Sequence, residues 1–161
     1  MAVHKLILDD IFEDVSCTLI AIHCTIEDYR LAYLLNKYLN ITLIRKPKDL
    51  DFNKGITKYA LFEYEDEKKL ITWNLVSNIC KIETDSKVQQ QSLFNAQHKV
   101  IKTYNLIPEY GKVNYFLKID NELSDNTEKQ IINNLLKIPQ IAMAYNVDMS
   151  LLKSKEHLIF D

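Results

Sequence analysis

Glycine, proline and cysteine are scarce in this chain of 161 residues, which contains two, three and three of them. A phosphate-binding loop needs closely spaced glycines, whereas Gly55 and Gly111 stand far apart. The odd number of cysteines, without a CxxC pair, argues against a disulfide framework and a common zinc pattern. We therefore expect Cys17, Cys24 and Cys80 to be reduced and buried, and we predict neither a metal nor a cofactor.

An excess of one charge sign is also lacking, because 20 lysines and arginines face 22 aspartates and glutamates. Because nucleic-acid-binding domains usually carry an excess of basic residues, this balance argues against a nucleic-acid partner. No apolar run approaches the roughly 18 residues of a membrane span. The acidic segment 9–14 falls where a signal peptide needs apolar residues. We expect a cytoplasmic protein without membrane contact, folded as a single domain over residues 1–161.

The clearest pattern lies between Val113 and Val147 and predicts a strand, a helix and a second strand. Large apolar side chains alternate with polar ones over 113–119, with Phe116 as the exception, and with Ala142, Ala144 and Asn146 over 141–147. Asp125 and Glu128 have the spacing of a capping box at a helix start. Pro139 ends that helix. Two strands joined through a helix are expected to run parallel.

The N-terminal region repeats this order. Residues 17–24 are apolar on both faces and predict an interior strand, Thr25 and Asp28 form a second capping box, and 41–45 predicts the next strand. Two such units on one sheet predict an α+β fold, a ferredoxin-like βαββαβ sandwich with both helices on one side.

Between the two units lies an insertion that predicts a β-hairpin and a long polar loop. The hairpin strands are 59–64 and 70–75, separated by a charged turn. Periodicity is lost over 84–99, a length typical of a lid, a partner-binding loop or a flexible segment. Short apolar segments at 4–8 and 158–160 are candidate edge strands.

Four groups of residues are candidates for chemistry or binding. His23 and Cys24 precede a helix start, where a nucleophile can be displayed, but a buried strand-end histidine and a core cysteine are the preferred interpretation. Glu109 after Pro108 is either a general acid or base, or a residue that fixes a turn or caps a nearby backbone group. Trp73 is either a partner anchor or a core residue. Ala142 and Ala144 give the last strand a small, semi-apolar second face, to be covered by this chain, by a second copy or by a ligand.

The segment IPEYGKVNY, Ile107 to Tyr115, resembles the motif of a family of bacterial proteins named IPExxxVDY. The stretches IEDYRLAYLLNKYL, LFEYEDE followed by ITWNL, LLKIPQIAMAYNV and KSKEHLIF also resemble that family, so the likeness covers nearly the whole chain. The resemblance implies no activity, and the role of the motif is left open. Asn114 departs from it, since the family pattern has Asp there, and Asn114 and Tyr115 join the binding candidates.

The unit from Val113 to Val147 also resembles the ligand-binding half of Lrp/AsnC-type regulators and ACT domains, which implies a ferredoxin-like fold that pairs through its sheet. The Asp-x-Pro-Gly loop of ACT domains is missing after Ile119, so amino-acid binding is not implied. We predict a non-enzymatic binding or adaptor domain that forms a homodimer or binds a protein partner. The alternatives are a sensor of an amino-acid-like small molecule and an unrecognised enzyme that uses His23, Cys24 or Glu109.

Overall fold

The computed structural model describes residues 16–85 and 99–160. Two helices of twelve residues lie in these ranges, α1 (Asp28–Leu39) and α2 (Asp125–Leu136). Neither is long enough to cross a membrane. The strands of these ranges are β1 (Thr18–Cys24), β2 (Ile44–Arg45), β3 (Leu50–Phe52), β4 (Thr57–Tyr59), β5 (Leu61–Asp66), β6 (Ile71–Ser77), β7 (Ile79–Asp85), β8 (Lys99–Asn105), β9 (Tyr115–Ile119) and β10 (Ile141–Val147).

The fold is α+β, with one mainly antiparallel sheet and two helices that pack on it. Six strands form the sheet in the order β10-β1-β9-β6-β5-β2. Because β1 is antiparallel to both β9 and β10, these two strands run parallel to each other with β1 between them. The predicted direction of the strands around α2 is therefore confirmed. The β3–β4 and β7–β8 pairs form two separate two-stranded sheets.

The strand predicted at 41–45 is shortened to Ile44–Arg45, at the far edge of the sheet. The residues before it are held by the end of α1 instead. Asn36 accepts a hydrogen bond from the Leu43 amide at 2.7 Å and donates one to the Leu43 carbonyl at 3.2 Å. Asn40 takes a left-handed conformation (φ 54°), a common way to end a helix. Because these local hydrogen bonds hold Leu43 at the end of α1, the chain joins the sheet only at Ile44.

Both predicted helix starts were misplaced by one or two residues. At α2 the capping residue is Ser124, not Asp125, and its side chain accepts a bond from the Thr127 amide. At α1 the capping position belongs to Glu27, without a side-chain cap, so the Thr25 capping box is wrong. Several acidic and hydroxyl residues near each start satisfy the same pattern, and the backbone angle of one residue decides between them.

The hairpin predicted in the insertion is confirmed as β5 and β6, with Tyr64 opposite Trp73. Thr84 and Lys99, predicted to lie in a loop, belong instead to the ends of β7 and β8. These two strands pair along their whole length. Most of their side chains are exposed, so the sequence shows no clear alternation of apolar and polar residues at these ends. Residues 86–98 of the predicted loop, and the predicted edge strand at 4–8, lie outside the described residues.

Two cores flank the sheet. The helix-side core lies between the sheet and the two helices, which confirms that both helices share one face; its fully buried members include Ile20, Ile22, Leu31, Leu35, Leu75, Leu117, Ile119, Leu135 and Ile138. The cover-side core lies on the opposite face, and its fully buried members include Leu19, Ala21, Val76, Leu106, Ile107, Val113, Phe116 and Leu158. Phe116 breaks the alternation of β9 because its own side of the sheet is also covered.

The C-terminal tail is one of the segments that cover this second face. The edge strand predicted at 158–160 is wrong, because Lys155–Leu158 forms a 3₁₀ turn. The turn lets Leu158 enter the cover-side core, while a ring nitrogen of His157 lies 2.7 Å from the Leu106 carbonyl. The His157 ring packs on Phe52 with 4.8 Å between ring centres, so the tail and β3 contact each other.

Truncating Phe116 to alanine tests the second core. The side chain is fully buried, so we expect Phe116→Ala to lower the free energy of unfolding by about 3 to 5 kcal/mol in urea titrations. Leu70→Ala is the control, since Leu70 is 89% exposed and its truncation should change stability by less than about 0.5 kcal/mol. Equal effects of the two variants would contradict a covered second face.

Candidate functional site

The segment 107–115, which carries the motif resemblance, links β8 to β9 and lies at the middle of the fold. Ile107 and Val113 are buried in the cover-side core. Between them Pro108–Tyr110 forms a 3₁₀ turn, with proline in its first turn where no amide hydrogen is needed. The Tyr110 ring meets Phe116 edge-on at 6.3 Å between ring centres. The motif therefore inserts apolar side chains from both ends of a tight turn.

Asn78 holds this segment in place, and no feature of the sequence pointed to it. Its side chain is fully buried. The Oδ1 atom accepts from the Ile107 amide at 2.8 Å, while Nδ2 donates to the carbonyls of Tyr110 at 2.9 Å and Val113 at 2.8 Å. Its backbone also bonds to Leu106 and Asn114. A single buried amide side chain thus satisfies three backbone groups of the segment 107–113, which only a side chain with both donors and an acceptor can do.

Asn114, where the family pattern has Asp, joins the segment to β1. Its Oδ1 accepts a hydrogen bond from the Cys24 amide at 2.9 Å, and its own amide donates to the Ile22 carbonyl at 3.2 Å. The first bond needs only an oxygen acceptor, which an asparagine supplies as well as an aspartate. The departure from the motif therefore keeps the contact that the structure shows at this position.

Tyr115 is a structural hydrogen-bond donor. Its hydroxyl donates to the Ile26 carbonyl at 2.6 Å, just before α1. Burial, together with the nearby carboxylates of Asp28 and Glu27, raises the pKa of Tyr115 to about 12. The phenol is therefore protonated at neutral pH and links β9 to the start of the first helix.

An open cleft of about 330 Å³ lies beside these two residues; its lining includes Cys24, Ile26, Ser77, Ile79, Lys81 and Asn114. Several of its polar groups already have partners within the fold, since Asn114 Oδ1 serves the Cys24 amide and the Ser77 hydroxyl bonds to the Ile79 carbonyl. Ser77, Asn114 and Tyr115 therefore serve the fold, while Thr25 and Lys81 also line the cleft. The cleft thus gives limited support to a sensing function.

His23 and Cys24 are not brought together. Successive residues of a strand point to opposite faces, and Cys24 belongs to the helix-side core while His23 Nε2 lies 3.0 Å from the Tyr145 hydroxyl on the other side. Burial raises the pKa of the Cys24 thiol, partly offset by a bond from the Ile26 amide, so a thiolate is disfavoured. The arrangement provides no base for this thiol.

Glu109 binds the C-terminal tail and caps two of its backbone amides. It has this structural role rather than that of a general acid or base. Its carboxylate accepts hydrogen bonds from the Ser154 hydroxyl at 2.8 Å and from the backbone amides of Lys153 and Ser154 at 3.2 and 3.3 Å. Burial alone would raise the pKa of Glu109, but these donors outweigh it and hold the pKa below its usual range. The motif carboxylate therefore anchors the segment that covers the second core.

Trp73 is a half-buried residue at the margin of the helix-side core, beside Tyr64 and Ile71. This position fits the core-filling interpretation better than the anchor interpretation.

In residues 16–85 and 99–160, no group of three or more histidine, cysteine, aspartate or glutamate side chains is placed to hold a metal ion.

The alternation predicted for β10 is interrupted. A bulge between His23 and Cys24 shifts the register, so that Ile141 and Ala144 contact the helix-side core while Tyr145 and Val147 contact the cover-side core. Ala144 is therefore covered by this chain, the first of the three covers considered for Ala142 and Ala144, while Ala142 is exposed. This chain itself covers both faces of the strand, and only Ala142, Met143 and Asn146 are exposed.

What β10 leaves open is its outer edge. In the part of the chain that the structure describes, β10 pairs with β1 alone and ends the six-stranded sheet. Alternate backbone amides and carbonyls of an edge strand point away from the sheet without a strand partner. This edge is the candidate binding site.

Comparison of the chain with protein-family models, with curated proteins and with solved structures finds no match. Membership of the IPExxxVDY family therefore stays a prediction.

Replacing Asn78 should destabilise the fold strongly. In Asn78→Ala, one amide and two carbonyls lose their partner, and each unpaired buried group costs about 1 to 3 kcal/mol, so we expect a loss of about 3 kcal/mol or more in urea titrations. Asn78→Asp keeps the acceptor but not the donors and should also be destabilised. Asn133→Ala, at an exposed helix position, is the control. A loss below about 1 kcal/mol for both Asn78 variants would contradict the proposed anchoring role.

The lowered pKa of Glu109 predicts a loss of stability in acid. A carboxyl whose pKa is lower in the folded than in the unfolded chain stabilises the fold above both values, and this contribution disappears as the pH falls from about 5 to about 3. Because the carboxylate is exposed, we expect an effect of at most about 1 kcal/mol. Glu109→Gln should weaken the pH dependence of urea unfolding in this interval, and Ser154→Ala should weaken it less. An unchanged pH profile in Glu109→Gln would show that the contact does not form in solution.

Proposed function

We propose that this chain is a non-enzymatic protein-interaction domain of ferredoxin-like architecture, which associates by accepting an added strand at the outer edge of β10. The observation that carries the proposal is the contrast between the two edges of the same sheet. One edge is protected against strand addition by its sequence, and the other is not.

The strand order supports the ferredoxin-like part of the proposal. In such folds each helix joins two parallel strands that are separated by an antiparallel strand of the other unit. The strands β9 and β10 have this relation around β1, with α2 as their connection. The next position beside β9 is filled by β6 rather than by the strand that follows α1, and β5 and β2 extend the sheet beyond it.

The protected edge is β2. It is two residues long, contains Arg45, and is followed by Lys46 and Pro47. Natural sheets use short edge strands, charged side chains and prolines to prevent pairing with other chains. All three features occur here. Strand addition at β2 is therefore disfavoured.

The open edge is β10, which has seven residues and contains neither a charged residue nor a proline. Its bulge lies at the first end and leaves 143–147 in regular register with β1. Met143 is 54% exposed, and Leu136, in the last turn of the preceding helix, is 49% exposed. An added strand would thus gain backbone hydrogen bonds from the edge and apolar contacts beside it.

Sensing of a small molecule is the weaker alternative, because Asn114, Ser77 and Tyr115 in the cleft form hydrogen bonds within the fold. Enzymatic use of His23, Cys24 or Glu109 is weaker still. The first two lie on opposite faces of the sheet, and the third is bound to the tail.

Site-specific photocrosslinking in the native cell tests the proposal. A photoreactive residue in place of Met143 should give discrete protein adducts, whereas the same residue in place of Ile44, which is 65% exposed at the protected edge, should give several-fold fewer. The two positions are similarly exposed, at 54% and 65%, and lie on opposite edges of the same sheet. Equal labelling at both positions, or no adduct at Met143, would refute binding at β10.

A further inference from the structure

We infer that the strand added to β10 is β10 of a second copy of this chain. The two strands would run antiparallel about a two-fold axis through Ala144, and the two six-stranded sheets would join into one of twelve strands. This inference rests on the proposed function and names its partner.

Symmetry favours this occupant. Pairing of β10 with itself is isologous and closes after two copies, because each copy uses the same edge. The outer edges of the joined sheet are then the two β2 strands, whose length, charge and proline prevent further addition. Pairing of β10 with β2 of another copy would leave a free edge at each step and would produce open chains. Pairing of β10 with β10 therefore gives a closed dimer, because only the protected β2 edges are left exposed.

The lack of charged residues in β10 also favours self-pairing. A two-fold axis places each residue near its own equivalent, so a charged strand meets the same charge in the other copy. Residues 141–147 carry no charge and meet no such repulsion. The corresponding contact at β2 would bring Arg45 and Lys46 against themselves. Like charges directly opposite each other destabilise strand pairing.

The register follows from the two faces. An axis normal to the sheet keeps the helices of both copies on the same side, and over residues 143–145 each residue then opposes one that points to the same face. Beyond the bulge, Ile141 opposes Val147, which points to the other face. Ala144 is the middle residue of β10, so an axis at this position gives the longest overlap. The Ala144 side chains of the two copies then lie opposite each other at the axis, and both are small. Met143 then faces Tyr145 of the other copy, a favourable contact between sulfur and an aromatic ring.

The purified full-length chain tests this directly. Light scattering after size exclusion at tens of micromolar should give twice the chain mass. Met143→Lys should weaken the dimer at least tenfold, because a lysine on the edge opposes pairing. Ile44→Lys, the same change at the β2 edge, should leave the dimer intact. A monomer at this concentration, or equal weakening by both variants, would overturn the inference.

A cysteine at the axis tests the register. Directly opposed residues of antiparallel strands have Cα atoms about 4.5 to 5.5 Å apart, within disulfide range. Ala144→Cys should therefore form a covalent dimer on mild oxidation, while Asn146→Cys should not, since its equivalent lies four residues along the strand. Crosslinking of Asn146→Cys but not Ala144→Cys would overturn this register.

The two proposals can fail separately. A purified monomer that still forms adducts through position 143 in cells would overturn self-pairing and leave another protein as the partner at β10. A monomer without adducts at that position would overturn both.

Discussion

The fold depends on one strand that is apolar on both faces. Leu19 and Ala21 point to one side of β1, Ile20 and Ile22 to the other, and all four are fully buried. Such a strand is stable only inside a sheet with both faces covered. The two helices cover one face, and the C-terminal tail, β3 to β4 and the turn at Pro108–Tyr110 cover the other. Residues 16–85 and 99–160 therefore form three layers, with the six-stranded sheet in the middle.

The second cover layer is irregular, and polar side chains hold it in place. Asn78 satisfies three backbone groups of the segment 107–113, and Glu109 bonds to the tail at Lys153 and Ser154. Each matched position of the IPEYGKVNY segment has a structural contact. The isoleucine and valine are buried, the proline starts a turn, the glutamate holds the tail, and Asn114 and Tyr115 tie β9 to the end of β1. These contacts explain the segment through stability alone.

Periodicity predicted the hairpin, α2 and the strands around it, whose faces differ clearly, and an unbroken apolar run predicted β1. It failed where local bonds decide the structure. The Asn36 side chain shortened β2, a bulge reversed Ile141 relative to Tyr145, and a 3₁₀ turn replaced the strand expected at Leu158. Asn78 has no sequence signal at all, because its role depends on a loop 29 to 35 residues away. The open edge of β10 could not be predicted either, since it follows from strand order.

Hydrogen exchange of individual amides in β10 tests the central claim most directly, because a paired and a free edge differ in pattern. If another strand is added, consecutive amides from Ala142 to Val147 should all be protected, and dilution should weaken the protection of every second one. If the edge is free, slow and fast exchange should alternate along the strand at every protein concentration. That alternation, unchanged by concentration in the native cell extract and in the purified chain, would contradict association through β10.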